Sequence, residues 1–451
     1  MEPAPRRQLT LLDSVCLIVG IMVGAGIYQM APDIARGTSG AAGLLALWLA
    51  GGLLSLCGAL GYAELASAYP QAGGDYAYLS RAYGRWAGFL FGWIQLAIVR
   101  PGDIAVMAFA FATYARPIHD PLAGGPFPYS QQVYAAAAVI LLTAIHIVGV
   151  RQGKWTQNVL TIAKVVGLAA IVAVGISAPP GTSTARTIEP LPASLALILV
   201  LFTFGGWNEM VYVAAEVVNP RRNMVRALVL GTVSVTVLYL LVNGAFLYAL
   251  DHGGLAASHA VAADLMATVF PAKAPAVVSA LVCISALGAV NGLIFTGARI
   301  SYAVGADHRI FGPLGQWHGR RGTPVRALLL QAAVSIVLIA TLGSFLNAIV
   351  YTAAPVYLFY LATSLAVIVL RGKDPHRERP YRTWGYPVTT AVFSLTCAFL
   401  AYSAVVYKPW IALTALGILL AGVPLYAVSL LLSRGSVTGP ETPGSSPTTP
   451  S

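Results

Sequence analysis

The chain has 451 residues, of which 57% are hydrophobic and only 10% charged, with a mean hydropathy of +0.75. Soluble domains carry about 25% charged residues, so this composition excludes a water-soluble enzyme and points to a polytopic membrane protein. The net charge of +11 would suggest nucleic-acid binding in a soluble chain; here the excess of Lys and Arg on cytoplasmic loops explains it instead.

The opening stretch, MEPAPRRQLTLLDS, is short and runs straight into a spanning-length apolar segment. The first helix is therefore expected to serve as the insertion signal, with no cleavable leader. Apolar runs then recur at the length a bilayer needs, about 20 residues each. They predict twelve spans, at residues 10–35, 41–67, 86–115, 132–150, 156–177, 192–217, 225–250, 272–303, 326–346, 347–370, 386–406 and 409–433. The polar stretch at residues 69–85 is too hydrophilic to span and reads as a short interfacial helix on the inner side. Residues 124–128 and 178–192 read as outer loops, and the Ser/Thr/Pro/Gly-rich residues 434–451 as a disordered cytoplasmic tail.

With the amino terminus placed in the cytoplasm, twenty of the 27 basic residues fall on inner segments and five on outer ones, with Arg100 and Lys164 inside spans. Both termini are then cytoplasmic, residues 1–9 forming the inner N-terminal segment, in a multi-pass protein of the plasma (inner) membrane. If the first and sixth spans are equivalent, residues 10–177 and 192–370 are two five-helix units. An odd number of spans per unit inverts the second relative to the first, and residues 386–433 add two accessory helices. The four cysteines, Cys16, Cys57, Cys283 and Cys397, all fall within apolar runs, so neither a disulfide framework nor a disulfide to a partner chain is expected.

Two spans are interrupted. The first reads IVGIMVGAGIYQM over residues 18–30, with Gly20, Gly24 and Gly26 where a spanning helix would carry Leu or Ala; the second reads FTFGGWNE over residues 202–209, about 180 residues later. Gly costs roughly 1 kcal/mol relative to Ala inside a helix, and peptide groups freed in lipid cost several kcal/mol more unless a polar partner meets them. Gly-interrupted segments at corresponding places in two halves point to a transport site. The amides of Gly24, Ala25 and Gly26, with Val23 before them, would face a carboxylate at a helix amino end. The carbonyls of Met22, Phe202 and Gly205, beside Thr203, could accept from an ammonium group. Such a site suits a zwitterion, an α-amino acid. The competing account is close helix packing through small residues.

Single polar residues inside apolar runs sharpen this reading. Lys164, mid-span in the fifth run, costs about 3 kcal/mol on insertion scales and should face the interior. It could stand where sodium sits in ion-coupled proteins of this architecture, release its proton during transport, or snorkel to the inner interface. Arg100 precedes Pro101, which breaks the local ladder, and Asp103 is near enough in sequence for a local ion pair; structural packing is weighed there against substrate contact. Glu64 lies near an inner end, as an inner-gate hydrogen bond or an interfacial residue. Glu209 and Glu216, seven residues apart and so on similar faces of one helix, divide between a reader of a substrate side chain or proton and an inner-side network. Asn291 could face Lys164 or the site, or bond another helix, and Asn208 borders the second break. No phosphate loop, zinc spacing or nucleophile elbow is present, and the seven scattered histidines suggest no metal. No cofactor is expected.

The segments GIMVGAGIY, YAELASAYPQAGGDYAYLSRAYG, IVRPGDIAVMAFAFATY, VLTIAKVVGL, FTFGGWNEMVYVAAEVVNPRRN, GAVNGLIFTGAR and RERPYRTWGYP together resemble the L-type amino acid transporter family of the amino acid-polyamine-organocation superfamily, from about Thr10 to about Pro387. The resemblance implies an all-α fold of the leucine-transporter type, with a five-plus-five inverted repeat, alternating access and sodium-independent amino acid exchange. It implies that Gly24 to Gly26 hold the carboxylate, that Met22, Phe202 and Gly205 supply carbonyls to the amine, and that Phe202 gates the bound substrate. Lys164 would take the sodium-like position coupling the first and eighth spans, with Asn208 and Asn291 lining or supporting the cavity. Ala25 stands where the family commonly has Ser, and Glu209 where it has an apolar or aromatic residue. Residues 116–131 contain no cysteine, so the chain is similar to the stand-alone prokaryotic members, without a disulfide-linked heavy chain.

The expected function is exchange of small or neutral α-amino acids without sodium. Proton-coupled uptake at Lys164 and exchange of cationic amino acids or polyamines are the alternatives; a channel, receptor or membrane enzyme fits less well.

Overall fold

The structure is a computed structural model that describes residues 4–122, 129–181, 189–342, 345–407 and 409–434; the side chains of residues 342–354, 407, 411, 433 and 434 lie outside that description. The expected outer loop at residues 124–128, part of that at 178–192, and the tail beyond residue 434 fall outside it too.

The described residues are helical, with no strand beyond isolated bridges. In chain order the α-helices are α1 (Leu11–Met22), α2 (Gly26–Gln29), α3 (Ala31–Arg36), α4 (Ala41–Ala68), α5 (Asp75–Tyr83), α6 (Arg85–Ile94) and α7 (Arg100–Ala115). There follow α8 (Ser130–Val148), α9 (Val150–Ser177), α10 (Ala193–Thr203), α11 (Pro220–Ala257), α12 (Val261–Ala267) and α13 (Ala274–Asp307). The last four are α14 (Val325–Leu342), α15 (Phe345–Lys373), α16 (Val388–Tyr407) and α17 (Pro409–Arg434). Ten helices among the described residues are long and apolar enough to cross a membrane, and two shorter apolar ones cover Ala193–Thr203 and Val325–Thr341.

The apolar windows of Leu11–Gln29 and Ala274–Asp307 are 83% and 72% buried, against 17% for Ala412–Leu432. The interrupted first helix and α13 are therefore the centre, and α17 the rim. A capping box starts α1: the Thr10 hydroxyl accepts from the Asp13 amide and the Asp13 carboxylate accepts from the Thr10 amide.

Three departures from regular helix shape the interior. Residues 23–25 separate α1 from α2, and Pro32 then sits in the first turn of α3, where its missing N–H is harmless. Gln95–Val99 form a π turn ahead of α7; Pro101 cannot donate to the ladder and crowds the carbonyl four residues back, and the wider turn absorbs both problems. After α10, residues 204–208 turn and Glu209–Glu216 form a 3-10 helix. This corrects the expectation that Glu209 and Glu216 share a helical face, because at about three residues per turn seven residues leave them roughly 120° apart.

The expected interfacial helix is present as α5, but it is enclosed. Tyr76, Tyr78, Leu79 and Ala82 are all at least 96% buried, so it plugs one end of the bundle.

Several helix pairs approach through glycine. A methyl group built on Gly51 would stand 2.2 Å from Val200 Cγ1, whereas one on Gly244 meets nothing within 4 Å. Val is stiff at χ1 and cannot swing away. Gly51→Ala should therefore destabilise by about 1–3 kcal/mol, while Gly244→Ala leaves stability unchanged or higher through helix propensity. Thermal unfolding of the two purified variants in detergent checks this.

Candidate functional site

At the first break the peptide chain turns away from α1 just after Met22, and two side chains from distant helices meet the exposed carbonyls. Lys164, fully buried on α9, donates from Nζ to Gly20 O at 2.7 Å, Val23 O at 2.8 Å and Ser285 O at 2.9 Å. Its three protons are thus divided between the carboxyl end of α1, where a cation complements the helix dipole, and α13. Tyr239 of α11 donates to Met22 O at 2.8 Å and reaches Thr203 O at 3.2 Å, joining both breaks.

These bonds revise parts of the expected zwitterion cradle. Gly24 N–H donates back to Met22 O at 2.9 Å, so that amide is committed and Met22 O already has two donors. Phe202 O accepts from Gly205 N–H at 2.9 Å. The amides of Ala25 and Gly26 meet no acceptor, and Gly205 O no donor, among the described residues. Those three peptide groups remain available. At the second break Gly206 has φ +100°, and a side chain there would strike Ile21, so glycine is required both for the turn and for the contact between breaks.

A cavity of about 140 Å³ lies beside the second break, walled by Phe202, Gly205, Trp207 and Glu209, by Gln95, Arg100 and Met107 on the third span, and by Tyr357, Tyr360 and Phe393. Of the residues nominated from sequence, Phe202, Gly205 and Glu209 line it. Met22, Val23, Gly24, Ala25, Gly26, Thr203, Asn208, Lys164, Asn291 and Glu64 are not in its wall. Packing gives the reason at the first break: a Cβ on Gly24 would lie 3.2 Å from Met107 Sδ, and one on Gly26 3.2 Å from Thr203 Cγ2. In this conformation Met107, itself in the cavity wall, packs against Gly24, and Thr203 packs against Gly26.

The charged residues form cross-helix pairs that the sequence analysis did not assign. Arg100 Nη1 donates to both carboxylate oxygens of Glu209 at 2.9 Å, and the Thr296 hydroxyl donates to Glu209 Oε2 at 2.6 Å. Glu209 is thus the hydrogen-bonded ion-pair partner of Arg100, and Asp103 of its own helix adds a second attractive charge. At the other end of the 3-10 helix, Glu216 accepts from Arg299 Nε at 2.8 Å, with both side chains 1% exposed. Arg299, counted from sequence among the inner loops, is an interior residue of α13. Two opposite charges inside apolar runs must find each other, and that rule applied across helices would have found both pairs.

The remaining nominated residues are braces. Asn291 Nδ2 donates to Gly153 O at 3.1 Å and Gln157 Oε1 at 2.8 Å, and its Oδ1 lies 3.0 Å from His146 Nε2. This is the helix-to-helix bonding alternative. Glu64 accepts from Arg371 at 2.6 and 2.9 Å and from Thr383 N and Oγ1, both at 2.7 Å. It anchors the connection between α15 and α16 to α4. Asn208 accepts from Tyr360 at 2.9 Å and donates to Tyr212 at 3.2 Å.

Known proteins are similar to this chain over most of its length. A family model described as amino acid permease matches residues 9–424. The b(0,+)-type amino acid transporter 1 of Mus musculus is 31% identical over 93% of this chain and 87% of its own length. The large neutral amino acids transporter small subunit 2 of Homo sapiens is 32% identical, covering 94% and 80%. The Asc-type amino acid transporter 1 of Mus musculus is 30% identical, covering 94% and 81%.

Truncating one member of a buried ion pair leaves the other charge stranded, at about 3–5 kcal/mol, whereas replacing both with apolar groups is close to neutral. Arg299→Met should therefore lower stability strongly, and adding Glu216→Leu should recover most of it. Denaturant unfolding in micelles measures both.

Proposed function

The chain belongs to the amino acid permease family and moves amino acids across a membrane, and we propose that it does so as a sodium-independent exchanger of small or neutral α-amino acids, by alternating access. The observation that carries this reading is Lys164. Its ammonium donates to two carbonyls of the broken helix and one of α13, holding a fixed cation where a mobile sodium would otherwise have to join the same two elements. With three acceptors for three protons, the charged form is fully satisfied. That favours a permanent charge over a proton released in each cycle.

The substrate carboxylate would take the free amides of Ala25 and Gly26, and its ammonium the carbonyl of Gly205. Gly24 N–H and the carbonyls of Met22 and Phe202 join when the substrate displaces their internal partners. Phe202 then closes over the bound molecule. The cavity is about 140 Å³, near the ~150 Å³ that accepts a benzene-sized group. Glu209 in its wall is already neutralised by Arg100, which supports neutral rather than cationic side chains, as do names such as large neutral amino acids transporter among its relatives.

In this reading the ten long helices and two shorter ones are twelve spans: two inverted five-helix repeats over residues 10–177 and 192–370, then two accessory helices at 386–433. Both termini face the cytoplasm, and the chain works in the inner membrane without a disulfide-linked partner. Asn208 and Asn291 support the moving elements, and Glu64 holds the inner ends of α4, α15 and α16 together.

Purified protein in vesicles tests the proposal. Uptake of a labelled neutral amino acid should require unlabelled amino acid inside and be indifferent to replacement of sodium by potassium. Uptake into empty vesicles driven by a proton gradient would overturn exchange. Lys164→Ala should slow turnover tenfold or more, equivalent to about 1.4 kcal/mol of barrier; wild-type turnover in that variant would remove Lys164 from the cycle.

A further inference from the structure

Most enclosed carboxylates in this protein face a base. Asp13 meets Lys154, Glu64 meets Arg371, Glu209 meets Arg100 and Glu216 meets Arg299. Asp75 does not. It is the first residue of α5, it is 0% exposed, and it has no ion-pair partner among the described residues.

Its surroundings are hydroxyls. Oδ2 accepts from the Tyr212 hydroxyl at 2.6 Å, Tyr212 accepts from Asn208 Nδ2 at 3.2 Å, and Asn208 Oδ1 accepts from the Tyr360 hydroxyl at 2.9 Å. Tyr212 and Tyr360 line the cavity, so the carboxyl stands one side chain behind its wall. From α4 and α15 the buried hydroxyls of Tyr62 and Thr363 lie beside Asp75, at the margin of hydrogen-bond geometry. Tyr78 of α5 is buried nearby, Glu209 acts on Asp75 as a neighbouring negative charge, and Arg100, which holds Glu209, also lies over the Tyr212 ring. A lysine or arginine would fix the ionised form. Hydroxyls can donate to a carboxylate or accept from a carboxylic acid, so this shell serves either state.

We propose that Asp75 is a proton-binding site. It carries a proton while α5 and the Glu209–Glu216 segment enclose it, and yields that proton to water when the two part. Burial raises the proton affinity of Asp75 above that of an ordinary carboxylic acid; hydrogen bonds from Thr363, Tyr212 and Tyr62 lower it part of the way, and the charge of Glu209 raises it. The sign of the linkage follows. The enclosed form binds the proton more tightly than the wetted form, so acid favours closure at this end, and opening gains as pH rises through the interval between the two affinities.

Infrared spectroscopy of the reconstituted wild-type protein at neutral pH should show the stretching band of a neutral carboxyl in apolar surroundings. Asp75→Asn should remove that band, and Asp75→Glu should shift it. In vesicles with the same pH on both sides, exchange by the wild type should change with pH by up to about tenfold per unit, and Asp75→Asn should flatten the profile. A band unaltered by both substitutions, or an Asp75→Asn profile superimposed on the wild type, would overturn the proposal. Should Asp75→Asn fail to fold, the shift in Asp75→Glu decides alone. The transport arm rests on the exchange reading and the infrared arm does not: a band lost as expected in a protein that shows no exchange would sink exchange and leave the proton site standing.

Discussion

Peptide groups released from a helix inside an apolar interior have no water to turn to, and the rest of this molecule is arranged around that constraint. Gly20 O, Met22 O and Val23 O lose helical partners where α1 stops, and they are met by Lys164 and Tyr239 from helices far away in sequence. A buried carbonyl left bare costs about 1–3 kcal/mol, and a lysine at mid-membrane about 3 kcal/mol on insertion scales. Each liability removes the other. The broken helix and the buried cation are therefore one feature, and neither is stable alone.

The same logic governs the second break. The Glu209–Glu216 segment lacks the length and the regular ladder of a spanning α-helix, and it is held at both ends by arginines, Arg100 from α7 and Arg299 from α13. Buried pairs contribute little net stability compared with apolar packing. They do define position: a guanidinium fork fits a carboxylate in few geometries, so the segment has a defined seat from which to move.

The breaks and Lys164 were legible in the sequence because each violates a local rule. Glycine appears where a spanning helix wants Leu, and a lysine sits ten residues from the nearest charged residue, Lys154. What was not legible needed a second element. Nothing near Met22 announces that Tyr239 occupies its carbonyl. Arg299 lies inside the span predicted at 272–303 yet was counted with the inner cations, and only the pairing with Glu216 shows that it faces the interior. The shared face drawn for Glu209 and Glu216 assumed an α-helix, and the 3-10 geometry of that segment depends on the contacts at its two ends. A bundle of membrane-length helices was readable from hydropathy, but the enclosure of α5 was not, since its tyrosines suit an interface as well as an interior.

Together these features separate two kinds of buried charge. Lys164, Arg100 and Arg299 are each tied to partners on other elements and form the frame. Among the described residues the peptide amides at Ala25 and Gly26 and the carbonyl of Gly205 are without internal partners, the Asp75 carboxyl is without an ion-pair partner, and these groups sit on or against the two interrupted segments. A ligand shifts a conformational equilibrium only by the difference in its affinity for the two states. In the proposed binding mode, a zwitterion that has to free Met22 O from Tyr239 would bind with less than its full contact energy. The remainder goes into moving the broken helices, which is what a transporter requires of its substrate and what a tight, preformed receptor pocket would forfeit.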